Sequence, residues 1–411
     1  MHERPPLRSS PPSGLFRDVV LDPERDAVPG ALPVVSVRAD DDPAFRREVE
    51  RRSVAMIELR RRGVDHGTLA ALEPEGLLPP RPRRRRGDVI EAQRWRAAQP
   101  LVLPGAAPAP AGLDAAARAL HARLARGELA PWLAESGVAL ADPAAPLADP
   151  ERDLARAVVA PERGAGLWLK AGRLSTHPED RSLRLRVSFG SEEEDDASHD
   201  EPRHRAVAEL GRGLLPGAAE LLAAAGLRET VERIAERRLY PTQGIAYWNA
   251  PEGGARFHHD AFAESAEGGQ RGVLYWQAAG ATLWLALSIE DLGARVRELV
   301  GWLGDGEVPW LRADLAPSQA ELERLKDVTS SRSVLLHELA QPDCGILGPL
   351  VNRGPEFTAL LADAGHAVLL RPGDVILLPN HGLERTAMHS VFHAGGELAY
   401  GLSFALREGA G

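Results

Sequence analysis

After residue 240 the chain breaks into short apolar segments separated mostly by glycine, proline and asparagine, and no other feature restricts the fold as tightly. The segments fall at 244–249, 272–277, 281–288, 366–379, 389–395 and 398–406. Pieces this short, bounded by turn residues and rich in aromatic and branched side chains, predict antiparallel strands with the texture of a β-barrel. Two earlier segments, 166–175 and 183–191, are strand-like in the same way.

Helical periodicity fills much of the remainder. Asp42-Pro43 predicts a helix start, with Phe45, Val49, Val54, Ile57 and Leu59 on one face. Further helical text covers 113–135 and 204–238, the latter interrupted by Pro216 and Gly226, and a mainly helical insertion is predicted over 289–364. Residues 1–42 are rich in Pro, Arg and Asp without apolar periodicity and read as a loosely ordered arm. The Pro/Ala-rich stretch 100–112 reads as a linker. The organisation expected is therefore an arm over 1–42, a mostly helical region over 43–164, and a β-rich domain over 165–411 that carries the insertion.

A chain of 411 residues has room for one large domain or two ordinary ones. Its net charge of −10 argues against a nucleic-acid partner. Cys344 is the only cysteine, which excludes a disulfide scaffold and fits a reducing compartment. No run approaches the roughly 20 apolar residues that cross a bilayer, so a cytoplasmic protein without a membrane partner is expected. Lys170 and Lys326 are the only lysines, and any cation that grips a carboxylate is expected to be an arginine. The basic run at 81–86 and the acidic stretch at 192–196 read as solvated loops.

One constellation carries chemistry. In Phe257-His258-His259-Asp260 the i, i+2 spacing points His258 and Asp260 to one face of an extended chain. An imidazole and a carboxylate on one side are two-thirds of a facial triad, which binds Fe(II) and leaves positions open. A late histidine on a strand can complete it, and His389, His393 and His381 are all candidates. The Cys344 turn carries no motif for a nucleophile, and there is neither a Gly-x-Ser-x-Gly elbow nor a phosphate-binding Gly-x-x-x-x-Gly-Lys loop.

The ordered set of His258-x-Asp260, Tyr275-Trp276-Gln277 with Gly280 and Trp284, Leu370-x-Pro372-Gly373-Asp374 with Pro379, and His389 resembles the Fe(II)/2-oxoglutarate oxygenases of the JmjC-like cupin group. The likeness covers roughly 165–407. It implies an α+β protein with a double-stranded β-helix of the jelly-roll type, a helical N-terminal region and a helical insertion. It also implies iron held by His258, Asp260 and His389, with 2-oxoglutarate as cosubstrate and hydroxylation of a C–H bond in a peptide, protein or small molecule. Tyr247, Asn249 and Gln277 stand where such proteins contact the cosubstrate.

The pattern departs from the family at Thr282, where a lysine usually pairs the distal carboxylate of 2-oxoglutarate. Arg407 is the expected substitute, because Gly401, Ser403 and Ala405 share its strand face and leave room for a ligand. The alternative function is a metal-binding cupin that is catalytically silent or does not use 2-oxoglutarate. The N-terminal region is open to three uses, namely substrate binding, dimer formation or bracing of the barrel.

Overall fold

The computed structural model describes residues 87–411 apart from 104, 143–144, 148, 151, 160–165, 175–180, 190–200, 252, 262–269, 307–317, 354–356, 358–359, 362–365, 394–396 and 410–411. The expected arm, the helix after Pro43, the arginine run and the acidic stretch lie outside the described residues.

The first elements are α1 (Gly87–Arg96), β1 (Leu101–Leu103), α2 (Leu113–Ala125), α3 (Leu129–Glu135), β2 (Leu140–Asp142) and β3 (Asp153–Val159). There follow β4 (Leu167–Arg173), β5 (Leu183–Phe189), α4 (Glu201–Leu214), α5 (Ala218–Ala223) and α6 (Ala225–Ala235). The barrel strands are β6 (Leu239–Asn249), β7 (Gly254–His258), β8 (Gln270–Ala279) and β9 (Thr282–Ser288), then β10 (Ala367–Leu370), β11 (Val375–Pro379), β12 (Ala387–His393) and β13 (Ala399–Glu408). Between β9 and β10 lie α7 (Ile289–Asp305), α8 (Gln319–Ser330), α9 (Arg332–Leu339), a 3₁₀ turn at Pro342–Leu347 and α10 (Gly348–Arg353).

Among the described residues the strands form two antiparallel sheets, one ordered β1-β11-β8-β13-β6-β5-β4-β3-β2 and the other β10-β9-β12-β7. From β6 to β13 the chain passes back and forth between these sheets, which face each other across one interior. The core is a double-stranded β-helix.

Two apolar layers cover it. Tyr400, Leu402, Phe404 and Leu406 of β13 point away from the interior and join Trp248, Trp276 and the buried faces of α2 to α6. Ile289, Leu292, Val296, Leu299, Val300 and Leu303 recur at helical spacing on α7 and are buried against the outer face of the smaller sheet. Each such side chain contributes roughly 1.5–3 kcal/mol by leaving water. Ser288 caps α7 by accepting from the Asp291 N–H, so the insertion starts directly at the end of β9.

Three expectations change. The sequence segment read as a linker supplies β1, which pairs with β11 and is buried, because Leu101, Val102 and Leu103 find their partners in Leu377, Ile376 and Val375, far along the chain. The helix expected over 113–135 is broken at Gly127, whose φ of +74° ends α2 before α3 begins. The proposed unit boundary at 165 falls between β3 and β4, which pair from Asp153 to Val159, and the region before it holds strands as well as helices. Among the described residues no helix is long and apolar enough to cross a membrane.

Candidate metal centre

Among the described residues β7 is an edge strand, with no strand partner on one side of its backbone. The insertion supplies partners instead. The Phe257 N–H donates to Asn352 Oδ1 at 2.8 Å, and the Cys344 thiol donates to the Phe257 carbonyl at 3.7 Å. The turn that presents Cys344 holds Asp343 and Cys344 at φ of +55° and +61°, conformations that cost free energy in non-glycine residues. On the other side β12 grips the strand, with Ser390 Oγ donating to the Ala255 carbonyl at 2.8 Å. Burial, and then the Asp343 charge, push the Cys344 thiol up to about 12, so it braces the strand and is a poor nucleophile.

The strand fixed in this way ends at His258, which lies directly opposite His389 on β12. The Nδ1–H of His258 donates to the Arg256 carbonyl at 2.7 Å, which leaves the Nε2 lone pair free for a ligand bond. Burial, followed by the neighbouring imidazoles of His258 and His259, holds His389 well below the ordinary histidine range, so its ring is neutral. Asp260 follows the strand end and brings Oδ2 to 3.7 Å from His389 Nε2. One ligand atom from each of His258, Asp260 and His389 lies within 4.8 Å of the others, and among the described residues no other group of three does so.

This donor set fits a divalent transition metal. At 3.7 Å the Nε2 to Oδ2 contact is too long for a hydrogen bond, so a nitrogen and an oxygen face each other across a gap. Metal–ligand bonds of about 2.0–2.2 Å span such a gap.

Behind His389 stands Trp284, stacked at 5.3 Å between centroids and 20° between planes. Trp284 Nε1 donates to Thr282 Oγ1 at 2.9 Å, and Thr282 in turn donates to Gln277 Oε1. Tyr275 Oη donates to the same Gln277 oxygen at 3.1 Å, while Gln277 Nε2 donates to the Ala279 and Tyr400 carbonyls. Thr282 therefore links Gln277 to Trp284 in a neutral chain that orients the ring behind His389. Gly401 is required beside it, since a Cβ there would stand 2.0 Å from Tyr275 Oη.

Tyr247 lies 6.2 Å from Tyr275 between ring centroids. Burial and then the Asp260 charge raise its phenol to about 12, opposed by Arg184, by a hydrogen bond with Ser403 and by Arg186. Asn249 is buried near the end of β6, and Arg407, only 1% exposed, sits on β13 opposite Tyr240 and Gln270.

The alternative histidines have other places. His393 lies opposite Thr282 at the far end of β12 and hydrogen-bonds the Glu397 carbonyl. His381 bonds the Trp95 carbonyl at 2.8 Å. His259 faces the insertion, donating from Nε2 to the Ala340 carbonyl at 2.9 Å and accepting from the Ala261 N–H at 3.1 Å. Asp374 accepts from the Arg371 and Gly105 N–H groups at 2.8 Å each, which makes it a clamp for its turn.

Sequence reading missed Asn352, Arg184 and Arg186. The two arginines are placed by cross-strand register with Tyr247 and Ile245, and their i, i+2 spacing on a strand is the one signal available beforehand.

No family model and no curated protein matches the sequence. Among solved structures, the chain is similar to AviO1 from Streptomyces viridochromogenes Tue57 at 12% identity, covering 80% of this chain and 97% of that one, with a TM-score of 0.31. It is similar to an oxidoreductase of the 2OG-Fe(II) oxygenase family from Burkholderia pseudomallei at 10% identity, covering 80% and 93%, with a TM-score of 0.26. A third similar structure is the Escherichia coli ribosomal oxygenase YcfD, at 16% identity over 63% of this chain and 41% of that one, with a TM-score of 0.22.

Proposed function

We propose that this protein is an Fe(II)- and 2-oxoglutarate-dependent dioxygenase that hydroxylates a C–H bond in a peptide or protein side chain. The observation that carries the reading is the meeting of His258, Asp260 and His389 inside a double-stranded β-helix. Two imidazoles and one carboxylate suit ferrous iron better than magnesium or calcium. When bound, iron with 2-oxoglutarate and dioxygen supplies the oxidising power, and the protein supplies position and electrostatics.

His258 and His389 would hold the metal through Nε2, and Asp260 through a carboxylate oxygen. The Arg256 carbonyl fixes the tautomer of His258, and Trp284 limits the rotation of His389. Arg407 is assigned to the distal carboxylate of the cosubstrate, where a guanidinium can form two parallel bonds. Tyr247 keeps its proton at neutral pH and offers a donor beside Asp260. Asn249 adds an amide.

The test is anaerobic addition of Fe(II) and 2-oxoglutarate, which should produce a weak visible charge-transfer band, followed by succinate formation in air and the gain of one oxygen atom by a peptide substrate. A second reading, a metal-binding cupin without cosubstrate turnover, is favoured by Thr282, whose hydroxyl is already engaged by Gln277 and Trp284. Under that reading metal binds, but no band or succinate appears.

A further inference from the structure

β8 and β9 meet at a turn that Gly280 makes with a φ of +64°, and from there they run back on opposite sheets. Gln277 and Thr282 flank that turn. His393 lies opposite Thr282, and His389 lies opposite Ala286, four residues further along β9. At about 3.3 Å per residue the metal centre stands roughly 13 Å from the turn, which is the deep end of the barrel interior.

Rings cross the interior between those two levels. Trp284, stacked on His389, meets Tyr275 of the facing sheet at 4.7 Å between centroids, and Tyr275 approaches Tyr247 at 6.2 Å. Together they make a wall from one sheet to the other. Gly401 of β13 lies directly opposite Tyr247, with Ser403 opposite Tyr275. The sequence leaves the space over Gly401 to a ligand, and the structure gives it to the Tyr275 hydroxyl.

Beyond the wall the polar groups are already spent. Gln277 Oε1 accepts from Thr282 and Tyr275, and its Nε2 donates to the Ala279 and Tyr400 carbonyls, so both lone pairs and both N–H groups of the amide are used. Thr282 also accepts from Trp284 Nε1, and both Gln277 and Thr282 are fully buried. A carboxylate entering there would have to break these bonds and leave buried groups unpaired. The near side differs, because Tyr247 is only partly buried, shares a hydrogen bond with Ser403 and lies within reach of the Asp260 charge.

We propose that Tyr275 is a specificity-determining residue of the metal centre: its ring ends the pocket short of Gln277 and Thr282, so that a chelating oxo acid held by the metal extends along the Tyr247 and Ser403 side of the wall. The proposal deepens the oxygenase reading by giving its cosubstrate a direction, and it rests on that reading only for the metal site. The test loads the full chain with Co(II) and titrates it with acetohydroxamate and benzohydroxamate, chelators that differ only in a methyl against a phenyl group, while the visible cobalt absorption is followed. Tyr275→Ala opens a ring-sized space beside the metal, so the preference for benzohydroxamate over acetohydroxamate should rise about tenfold relative to the parent. Tyr275→Leu keeps more of the buried volume, which protects folding, and should raise the preference about threefold. Tyr275→Phe keeps the ring and should leave it unchanged. A residue that only supported the fold would lower both affinities together. Circular dichroism and melting curves establish that the variants are folded. An unchanged preference in the folded Ala and Leu variants, an equal rise in Tyr275→Phe, or absence of cobalt binding to the parent would each overturn the proposal. A preference that responds to Tyr275 without a charge-transfer band from Fe(II) and 2-oxoglutarate upholds it and removes the cosubstrate reading, whereas the band with an unresponsive preference removes this proposal alone.

Discussion

The imidazole rings of His258 and His389 lie 4.1 Å apart between centroids, across a strand pair that sets the two residues directly opposite each other. Two rings at that distance, with Asp260 at their edge, offer two imidazoles and a carboxylate to one cation, and burial, followed by the imidazoles of His258 and His259, keeps His389 from competing for a proton. Metal binding should therefore stabilise the fold. With free metal at about 100 times its dissociation constant, the gain is about 2.7 kcal/mol. A melting curve with and without Fe(II) under anaerobic conditions measures it, and Asp260→Ala or His389→Ala should abolish both the shift and turnover. Retained turnover in either variant would remove the site assignment.

Asn352 touches no proposed ligand, yet it holds the strand that ends in His258. Asn352→Leu leaves the buried Phe257 N–H without its acceptor and should cost roughly 1–3 kcal/mol in a urea melt. Metal affinity should fall about tenfold as His258 loses its fixed position. Asn352→Asp retains an acceptor and should lose less of both quantities.

Gly401 and Tyr275 form a testable pair. Gly401→Ala places a Cβ against the Tyr275 hydroxyl and should cost about 1–3 kcal/mol, because the ring is wedged between Trp284 and Gln277. In a Tyr275→Ala background the same change should cost little, and a double-mutant cycle reads the difference. Equal costs in both backgrounds would show that the clash is relieved elsewhere.

Acid should destabilise the protein through His366. Burial holds this imidazole down to about 4, with Asp291 opposing and Arg295 and Arg94 assisting, against about 6.5 in an unfolded chain. Between pH 6.5 and 4 the unfolded chain takes up a proton that the folded one refuses, so stability falls as pH drops through that window. The loss by pH 4 is about 3 kcal/mol. Denaturant midpoints across this range should be flatter for His366→Gln than for the parent protein, and identical slopes would show that another group is responsible.

Much of this was legible in one dimension because strand and helix periods are local. Turn residues between 244 and 406 marked strands that became β6 and β8 to β13, and the apolar stripe of α7 announced the insertion. The His258-x-Asp260 spacing announced two ligand types on one side. Segments without a local pattern stayed hidden. β1 is three residues long and resembles linker text, and β7 begins at Gly254, ahead of the Phe257–Asp260 segment that reads as extended.

The sequence by itself determined that this chain builds a β-rich core around a histidine and a carboxylate two residues apart, since alternation and side-chain chemistry belong to neighbouring residues. The family resemblance pointed to His389, and the tertiary structure set it opposite His258 while placing His393 and His381 elsewhere; only the tertiary structure gave Thr282 to the support of Trp284 and set Arg184 opposite Tyr247. Those choices depend on strand register and on packing between segments distant in the chain. Neither is encoded in the spacing of any one segment.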